Sequence, residues 1–355
     1  MKVLFVIHSH QAGGAERHLV QLMHGLAERG VECIYAGPCD SWLGEQLGKA
    51  GFRCVPIAFR GRFDVMSLLK LIGFVRREKI NLIHSHLSRA AFYAGWVAKL
   101  TSTPNVATAH LMDAGLRFNR TTRIIAVSNA VSRYLATCGY AADIVRMVHN
   151  GVPDYTALAK APAAQLRAEL KLDDAPVVTM VARIEHVKGH DIALHAFAKL
   201  RERPWTLVLA GSLDTPWAKE MQALATKLGI AERVRFIGHR DDVPNLYRCT
   251  DIVIAPSRRE ALSLTLLEAS SFALPIVASD VDGIVEAVGN GETGILVSPE
   301  NSESLAHAVV TLLDDANLRR RMGDAGRQRF EQRFSVGTMI ERVLGVYKEA
   351  TTVAA

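Results

Sequence analysis

No run in this 355-residue chain approaches the roughly 20 consecutive apolar residues that span a bilayer, which excludes a membrane-crossing helix. The opening Met1-Lys2-Val3-Leu4-Phe5-Val6-Ile7 is too short for a signal peptide and passes directly into glycines and Glu16. Any membrane contact is therefore expected to be peripheral, on a cytoplasmic protein. The five cysteines, Cys33, Cys39, Cys54, Cys138 and Cys249, are scattered, with no CxxC and no close Cys/His group to suggest zinc. They read as buried thiols in a reducing compartment. Charge of one sign is also scarce in excess: 42 basic against 36 acidic residues leave only +6. That permits an anionic small molecule without demanding nucleic acid. Neither a zinc finger nor a stacked-aromatic module is present, and Arg319-Arg320-Arg321 reads as a solvated helix face.

What the chain does have is apolar content, 49 % of its residues, and a length that calls for two cores. Short apolar runs alternate with helical-length segments. Lys2 to Ile7, Val31 to Ala36, Asn81 to Ser85, Asn105 to Ala109 and Arg123 to Val127 read as strands, with helices such as Ala15 to Arg29 and Ser88 to Leu100 between them. Near-continuous apolar strands in a βα alternation predict a parallel sheet covered on both faces. The rhythm breaks between Gly151 and Pro176. It then resumes with strands near Val177 to Val181, Thr206 to Leu209, Val234 to Ile237, Ile252 to Ala255, Pro275 to Ala278 and Gly294 to Val297. The expected domains are 1–165 and 166–334, with a last helix over 335–355 that crosses back to the first. Two open α/β sheets place ligands at their strand C-termini, which predicts an α/β fold of two Rossmann-like domains facing across a cleft.

Four constellations sit at such strand ends. After the first strand, Gly13-Gly14-Ala15-Glu16 opens a helix: a tight turn, or a close approach to phosphate or sugar. It is not the GxGxxG dinucleotide fingerprint. In the second half, Arg183 and Lys188 follow an apolar strand and are suited to neutralise a departing diphosphate. Glu260 stands at a loop-to-helix junction and Glu268 lies inside an otherwise apolar helix, with seven residues between them. A buried Glu268 needs a partner, and carboxylates accept well from sugar and ribose hydroxyls; the alternative is a helix cap and a partly exposed glutamate. Asp280-Val281-Asp282-Gly283 then leads into a helix that carries Glu286.

Taken in order, the Gly13-Gly14-Ala15-Glu16 turn, Val127-Ser128, Asn150-Gly151-Val152, Arg183 with Lys188, Phe236-Ile237-Gly238 and the Glu260 to Glu268 pair resemble the retaining glycosyltransferases of sequence family four. The resemblance covers nearly the whole chain and implies the two-Rossmann GT-B fold. It implies that Gly13 and Gly14 lie near the donor phosphates, that Arg183 and Lys188 hold the diphosphate, and that Glu260 contacts the transferred sugar. Ala261, Leu262 and Leu264 would line the donor site, Glu268 would bond the ribose, and the loop at Gly238 and His239 would meet the base. His110, at its strand end, would stand beside the reacting sugar. The implied catalytic set is His110, Glu260, Arg183 and Lys188.

Ala261 and Ser263 stand where relatives commonly carry glycine, and Asp282-Gly283 replaces a glycine pair. The sugar pocket is therefore expected to differ. The stretch from His110 to Arg123 is short, which suggests simple acceptor loops. No DxD motif stands convincingly at a strand end, so the expected hexosyl transfer is metal-independent, with no cofactor and a UDP-sugar favoured over a GDP-sugar as donor. The acceptor is a glycan, a lipid-linked glycan or a small molecule, in bacterial envelope or exopolysaccharide assembly. The basic and apolar mixture from Ile57 to Lys79 is either a membrane-facing helix or an ordinary helix packed on the sheet. A sugar-nucleotide epimerase of similar architecture and a non-catalytic nucleotide-sugar binder are the competing functions.

Overall fold

The computed structural model describes residues 1–354 apart from 62, 63, 113, 114 and 119. Two compact units emerge: Met1–Gly151 joined by the last segment from Val336 onward, and Val152–Ser335. In the first, the strands are β1 (Lys2–Ile7), β2 (Glu32–Gly37), β3 (Arg53–Pro56), β4 (Leu82–His86), β5 (Asn105–Ala109), β6 (Arg123–Ala126) and β7 (Val145–Met147). They form one seven-stranded sheet in the order β3-β2-β1-β4-β5-β6-β7. Every pairing is parallel. Helices α1 (Gly14–Ala27), α2 (Trp42–Lys49), α3 (Val65–Arg77), α4 (Ser88–Thr101) and α5 (Asn129–Thr137) connect the strands.

The apolar runs divide by the two-residue period of a strand. Val3, Phe5 and Ile7 of β1 pack with Leu19, Leu22 and Leu26 of α1. Leu4 and Val6 turn the other way, into a core with Leu71, Phe74 and Val75 of α3. Strands buried on both faces have no polar side to show, which is why they read as continuous hydrophobic runs. The two strands not anticipated, β3 and β7, are the sheet's edges. Their short sequences, Arg-Cys-Val-Pro and Val-Arg-Met, are only partly buried and carry no such signal.

Helix Val336–Ala354 packs on this same unit. Its Met339, Ile340, Val343, Val346, Tyr347 and Ala350 join the core around α1. The two helices meet over Gly25, where a Cβ would stand 2.6 Å from Ile340 Cγ1. Arg29–Glu341 at 2.7 Å and Arg146–Glu349 at 2.7 Å fringe the contact. Exposed pairs of this kind contribute about 0–1 kcal/mol, so the apolar face does most of the holding.

The second unit has strands β8 (Val177–Val181), β9 (Thr206–Ala210), β10 (Val234–Gly238), β11 (Ile252–Ala255), β12 (Ile276–Ser279) and β13 (Gly294–Val297). Their order, β10-β9-β8-β11-β12-β13, repeats that of the first sheet's leading six. Its helices are α6 (Ala163–Glu169), α7 (His190–Ala198), α8 (Pro216–Lys227), α9 (Val243–Tyr247), α10 (Leu264–Ser271), α11 (Ile284–Ala287), α12 (Ser302–Asp314) and α13 (Ala316–Arg333). The division falls at Gly151/Val152 rather than at the expected 165/166. The physical reason is that Leu166 and Leu170 bury against Val177 and Val208 of the second sheet and Leu246 of α9, while Asp154 is held by both terminal guanidinium nitrogens of Arg327. All five cysteines are unpaired; Cys33 and Cys249 are buried, but Cys39, Cys54 and Cys138 are only half-buried, which corrects the uniformly buried reading.

Ile340→Ala is expected to cost about 2–5 kcal/mol by leaving a cavity between α1 and the last helix. Hydrogen exchange should then speed up at the β1 amides and not at those of β8. Unchanged β1 protection would contradict this account of how the first unit is closed.

Candidate functional site

Each sheet reverses its strand order beside its first strand, between β1 and β4 and between β8 and β11. Open α/β sheets bind ligands outside the strand C-termini at such points. Gly13 and Gly14 follow β1, Arg183 and Lys188 follow β8, and Glu260 follows β11, whereas His110 follows β5 and Gly238 and His239 stand at the end of the edge strand β10.

In the first unit, a pocket of about 480 Å³ is lined by His8, His10, Arg89, His110, Arg117 and Phe118, among others. His110 follows β5, and its Nε2 lies 3.0 Å from Nδ1 of His86 at the end of β4. His110 also lines the pocket. Burial, reinforced by neighbouring imidazoles, holds His86 and His110 well below the ordinary histidine range, so both rings are neutral near pH 7. Gly13 caps α1 through backbone alone, and its N–H donates to Glu16 Oε2 at 3.0 Å. Arg17 is the first residue to donate within the helix, to Gly13 O. The N–H groups of Gly14, Ala15 and Glu16 therefore have no acceptor inside the helix, the arrangement that suits an anion. The short stretch from His110 to Arg123 includes residues 113, 114 and 119, which lie outside the described residues.

In the second unit, three loops converge. Arg183 to Gly189 follows β8, Pro256 to Ser263 follows β11, and Asp280 to Gly283 follows β12. The first two loops touch at Gly189, whose φ is +76° and whose Cβ, were there one, would lie 2.0 Å from Pro256 O. Arg258 ties them further. Its guanidinium forks onto both carboxylate oxygens of Asp191 at 3.0 and 2.7 Å and also reaches His186 O at 2.6 Å, while its backbone N–H donates to Val187 O at 2.8 Å. The result is a close ion pair: Lys188 Nζ lies 2.5 Å from Glu260 Oε2, with side chains 18 % and 15 % exposed. The third loop presses on Glu260 from behind. Gly283 N–H donates to Glu260 O at 2.8 Å, and a Cβ on Gly283 would stand 1.8 Å from Ala261 O. Asp282 adopts φ +40° in place of a glycine, and its Oδ2 accepts from the Glu260 N–H at 3.3 Å. Aspartate is among the few side chains that tolerate that region.

Not every selected residue joins this knot. Arg183 bonds Glu185 at 2.9 Å and is 73 % exposed, so its cation faces solvent rather than Glu260. Helix α10 begins at Leu264, so Glu260 lies in the loop and not at the helix junction. Ala261 and Leu262 are buried and Leu264 half-buried. Glu268 is buried on α10 and accepts from Tyr155 Oη at 2.9 Å, which replaces the partly exposed alternative. Gly238 ends β10 with φ +74°, and His239 beside it is exposed, 3.2 Å from Asp241. Glu286 is buried at the start of α11. The Asp280-Val281-Asp282 stretch of the third loop follows β12 directly. Its carboxylates are divided: Asp280 is exposed while Asp282 serves the Glu260 backbone.

Sequence reasoning missed Tyr155, Arg258, His86 and the pocket-lining Arg89. A phenol or guanidinium that acts by partnering another side chain has no linear signature. His86 was hidden inside a strand read only for its apolar residues.

Two family models match the chain: "Glycosyltransferase Family 4" over residues 12–154 and "Glycosyl transferases group 1" over residues 163–329. Among the relatives, alpha-D-kanosaminyltransferase of Streptomyces kanamyceticus is 34 % identical over 194 residues, a match that takes in 54 % of this chain and only 50 % of that protein. D-inositol 3-phosphate glycosyltransferase of Corynebacterium efficiens is 31 % identical over 320 residues, covering 79 % of this chain and 74 % of the relative. A lipopolysaccharide core biosynthesis glycosyltransferase, LpsE of Rhizobium meliloti, is 29 % identical across 93 % and 95 % of the two chains. The fold matches that of a Rickettsia africae glycosyltransferase with a TM-score of 0.90 at 21 % identity, over 98 % of both chains. It matches Anabaena Alr3699/HepE, solved with UDP and glucose, with a TM-score of 0.87 at 23 % identity over 97 % and 98 %.

Gly189→Ala is expected to lower the stability of the second unit by more than about 1–2 kcal/mol, because it adds the left-handed penalty to a clash with Pro256. Urea unfolding followed by β8 hydrogen exchange checks this; an unchanged midpoint would mean that the two loops do not depend on each other.

Proposed function

The chain belongs to glycosyltransferase family 4, and from that premise we propose that it transfers a hexose from a nucleotide-diphosphate sugar to a hydroxyl of a glycan or lipid-linked acceptor, with retention at the anomeric carbon. The observation that carries the reading is the Lys188–Glu260 pair, fixed by three loops at strand C-termini. An ammonium has three donors and a carboxylate two acceptor oxygens. With Nζ bound to Oε2, Lys188 keeps protons for the diphosphate and Glu260 keeps Oε1 for a hydroxyl of the sugar. The cation is thus held in place before the donor arrives and needs no reorganisation as charge builds on the leaving group.

In this reading, Arg183 swings from Glu185 to the same diphosphate, an exchange its exposure permits. The N–H groups that open α1 at Gly14 and α10 at Leu264 add positive potential. Glu268, oriented by Tyr155, takes the ribose, and the turn at Gly238 and His239 meets the base. Neutral His110 stands beside the transferred sugar. As the bond from the anomeric carbon to the diphosphate oxygen breaks, the acceptor oxygen bonds to that carbon from the same face. The departing phosphate oxygen takes the acceptor's proton. Because the cationic groups stabilise the leaving group directly, the reaction as proposed needs no metal ion.

UDP is favoured as the carrier on the likeness to Alr3699/HepE, and an envelope or exopolysaccharide acceptor on the likeness to LpsE. No helix among the described residues is long and apolar enough to cross a membrane. Helix α3 nevertheless exposes Val65, Met66 at 76 % and Leu69 while burying Leu71, Phe74 and Val75 in the sheet. Lys70, Arg76 and Arg77 stand on the same helix. That favours a peripheral seat on the anionic inner face of a membrane, with the chain otherwise in the cytoplasm. Arg62 and Phe63 of the same stretch lie outside the described residues.

Incubation with UDP-, GDP- and ADP-sugars, then with acceptors, tests the central reading. Transfer with retained anomeric configuration, undiminished by EDTA, is expected. Free epimerised donor in the absence of acceptor would instead mark an epimerase, and binding without transfer or hydrolysis a binding protein. Lys188→Ala should lower transfer about 10²-fold or more with the fold intact; near-normal transfer counts against its diphosphate role. Met66→Asp with Leu69→Asp should release the protein from vesicles containing phosphatidylglycerol in a flotation assay, and retention would dismiss the α3 seat.

A further inference from the structure

Behind the first unit's pocket, three histidines from three elements come together: His18 of α1, His86 of β4 and His110 after β5. One ligand-capable nitrogen from each lies within 4.8 Å of the others. Their ring centroids stand 4.9 Å (His18–His110), 5.3 Å (His86–His110) and 5.6 Å (His18–His86) apart. His18 and His86 are buried, and both nitrogens of His18 and Nε2 of His86 have no hydrogen-bond partner. Buried polar atoms are normally satisfied, so orphaned ones ask for a partner. Neighbouring His84 shows how this core accommodates an imidazole that is purely structural. Its Nδ1 meets Tyr347 Oη at 2.6 Å and its Nε2 meets Thr108 Oγ1 at 2.7 Å. Nothing equivalent is supplied for His18, which α1 carries on the face that otherwise presents Leu19, Leu22 and Leu26 to the sheet.

We infer that His18, His86 and His110 form a three-imidazole site for a divalent transition-metal ion of the zinc, cobalt or nickel class. The donor set is all nitrogen with no carboxylate, which suits those ions and not magnesium or calcium. Each neutral imidazole can give one ring-nitrogen lone pair to such an ion. Zinc–nitrogen bonds of 2.0–2.1 Å put tetrahedral ligands roughly 3.4 Å apart, so nitrogens that now lie within 4.8 Å of one another need to close by about 1.4 Å at most. Three protein ligands leave an open coordination position, as in sites that exchange their ion or its fourth ligand. Resting on the reading that His110 meets the transferred sugar, the consequence is inhibition: an ion that draws the ring onto His18 removes it from the pocket.

The test uses the full chain stripped with a chelator and then titrated with Co²⁺, followed by its visible absorption, and in parallel with Zn²⁺ by equilibrium dialysis. One ion per chain and a tetrahedral Co²⁺ band are expected. His18→Leu should abolish both, and so should His110→Ala, whose half-buried place at a strand end makes it the check if His18→Leu fails to fold. His84→Gln should keep both. Absence of stoichiometric binding, or binding that survives the loss of His18 or His110, overturns the site. In a separate arm, equimolar Zn²⁺ should reduce transfer about tenfold or more by displacing His110, and EDTA should restore it. Binding without inhibition would uphold the ion site and overturn the place of His110 beside the sugar, which keeps the two failures apart.

Discussion

The tight approach of two loops at the ends of β8 and β11 is the constraint on which the second unit's chemistry depends. Gly189 has no room for a side chain against Pro256 O, and Arg258 locks the two loops through Asp191 and the backbone of His186 and Val187. Only with both loops in that register do Lys188 and Glu260 stand 2.5 Å apart with most of their surface out of water. Desolvating such a pair consumes much of its Coulomb attraction, so it is a poor device for stability. Its value is positional, since a half-buried cation held ready beside a carboxylate is a prepared seat for an anionic group that carries hydroxyls.

The first unit solves a different problem with the same sheet order. Its last helix closes the core around α1 through Ile340 and Tyr347, and Tyr347 also anchors His84 in the middle of the sheet. The histidines beyond it, His86 and His110, stay neutral because they are buried, and the outermost faces the pocket. Packing of an apolar helix and placement of an imidazole are thus parts of one arrangement. A loosened helix would disturb the pocket without touching it.

Much of the fold was legible because parallel strands buried on both faces announce themselves as apolar runs, as at Lys2–Ile7, Asn105–Ala109 and Val177–Val181. The edge strands Arg53–Pro56 and Val145–Met147 were silent for the opposite reason, being short and half-solvated. The boundary read as 165/166 moved to 151/152 because what looked like linker holds Leu166, Leu170 and Asp154, which pack or bond within the second unit. At the site, strand-end position picked out Lys188, Glu260 and His110. Partners that act across the fold were invisible: Arg258 is one of two adjacent arginines, Tyr155 lies in an irregular stretch, and His18 falls within a helix whose period drew attention only to its leucines.

A crystal structure of the chain soaked with a UDP-sugar would test the central claim most directly. The account predicts that the β-phosphate lies within hydrogen-bond distance of Lys188 Nζ and that a sugar hydroxyl donates to Glu260, with the Lys188–Glu260 contact kept. Phosphates bound elsewhere, with the pair still closed on itself, would contradict it.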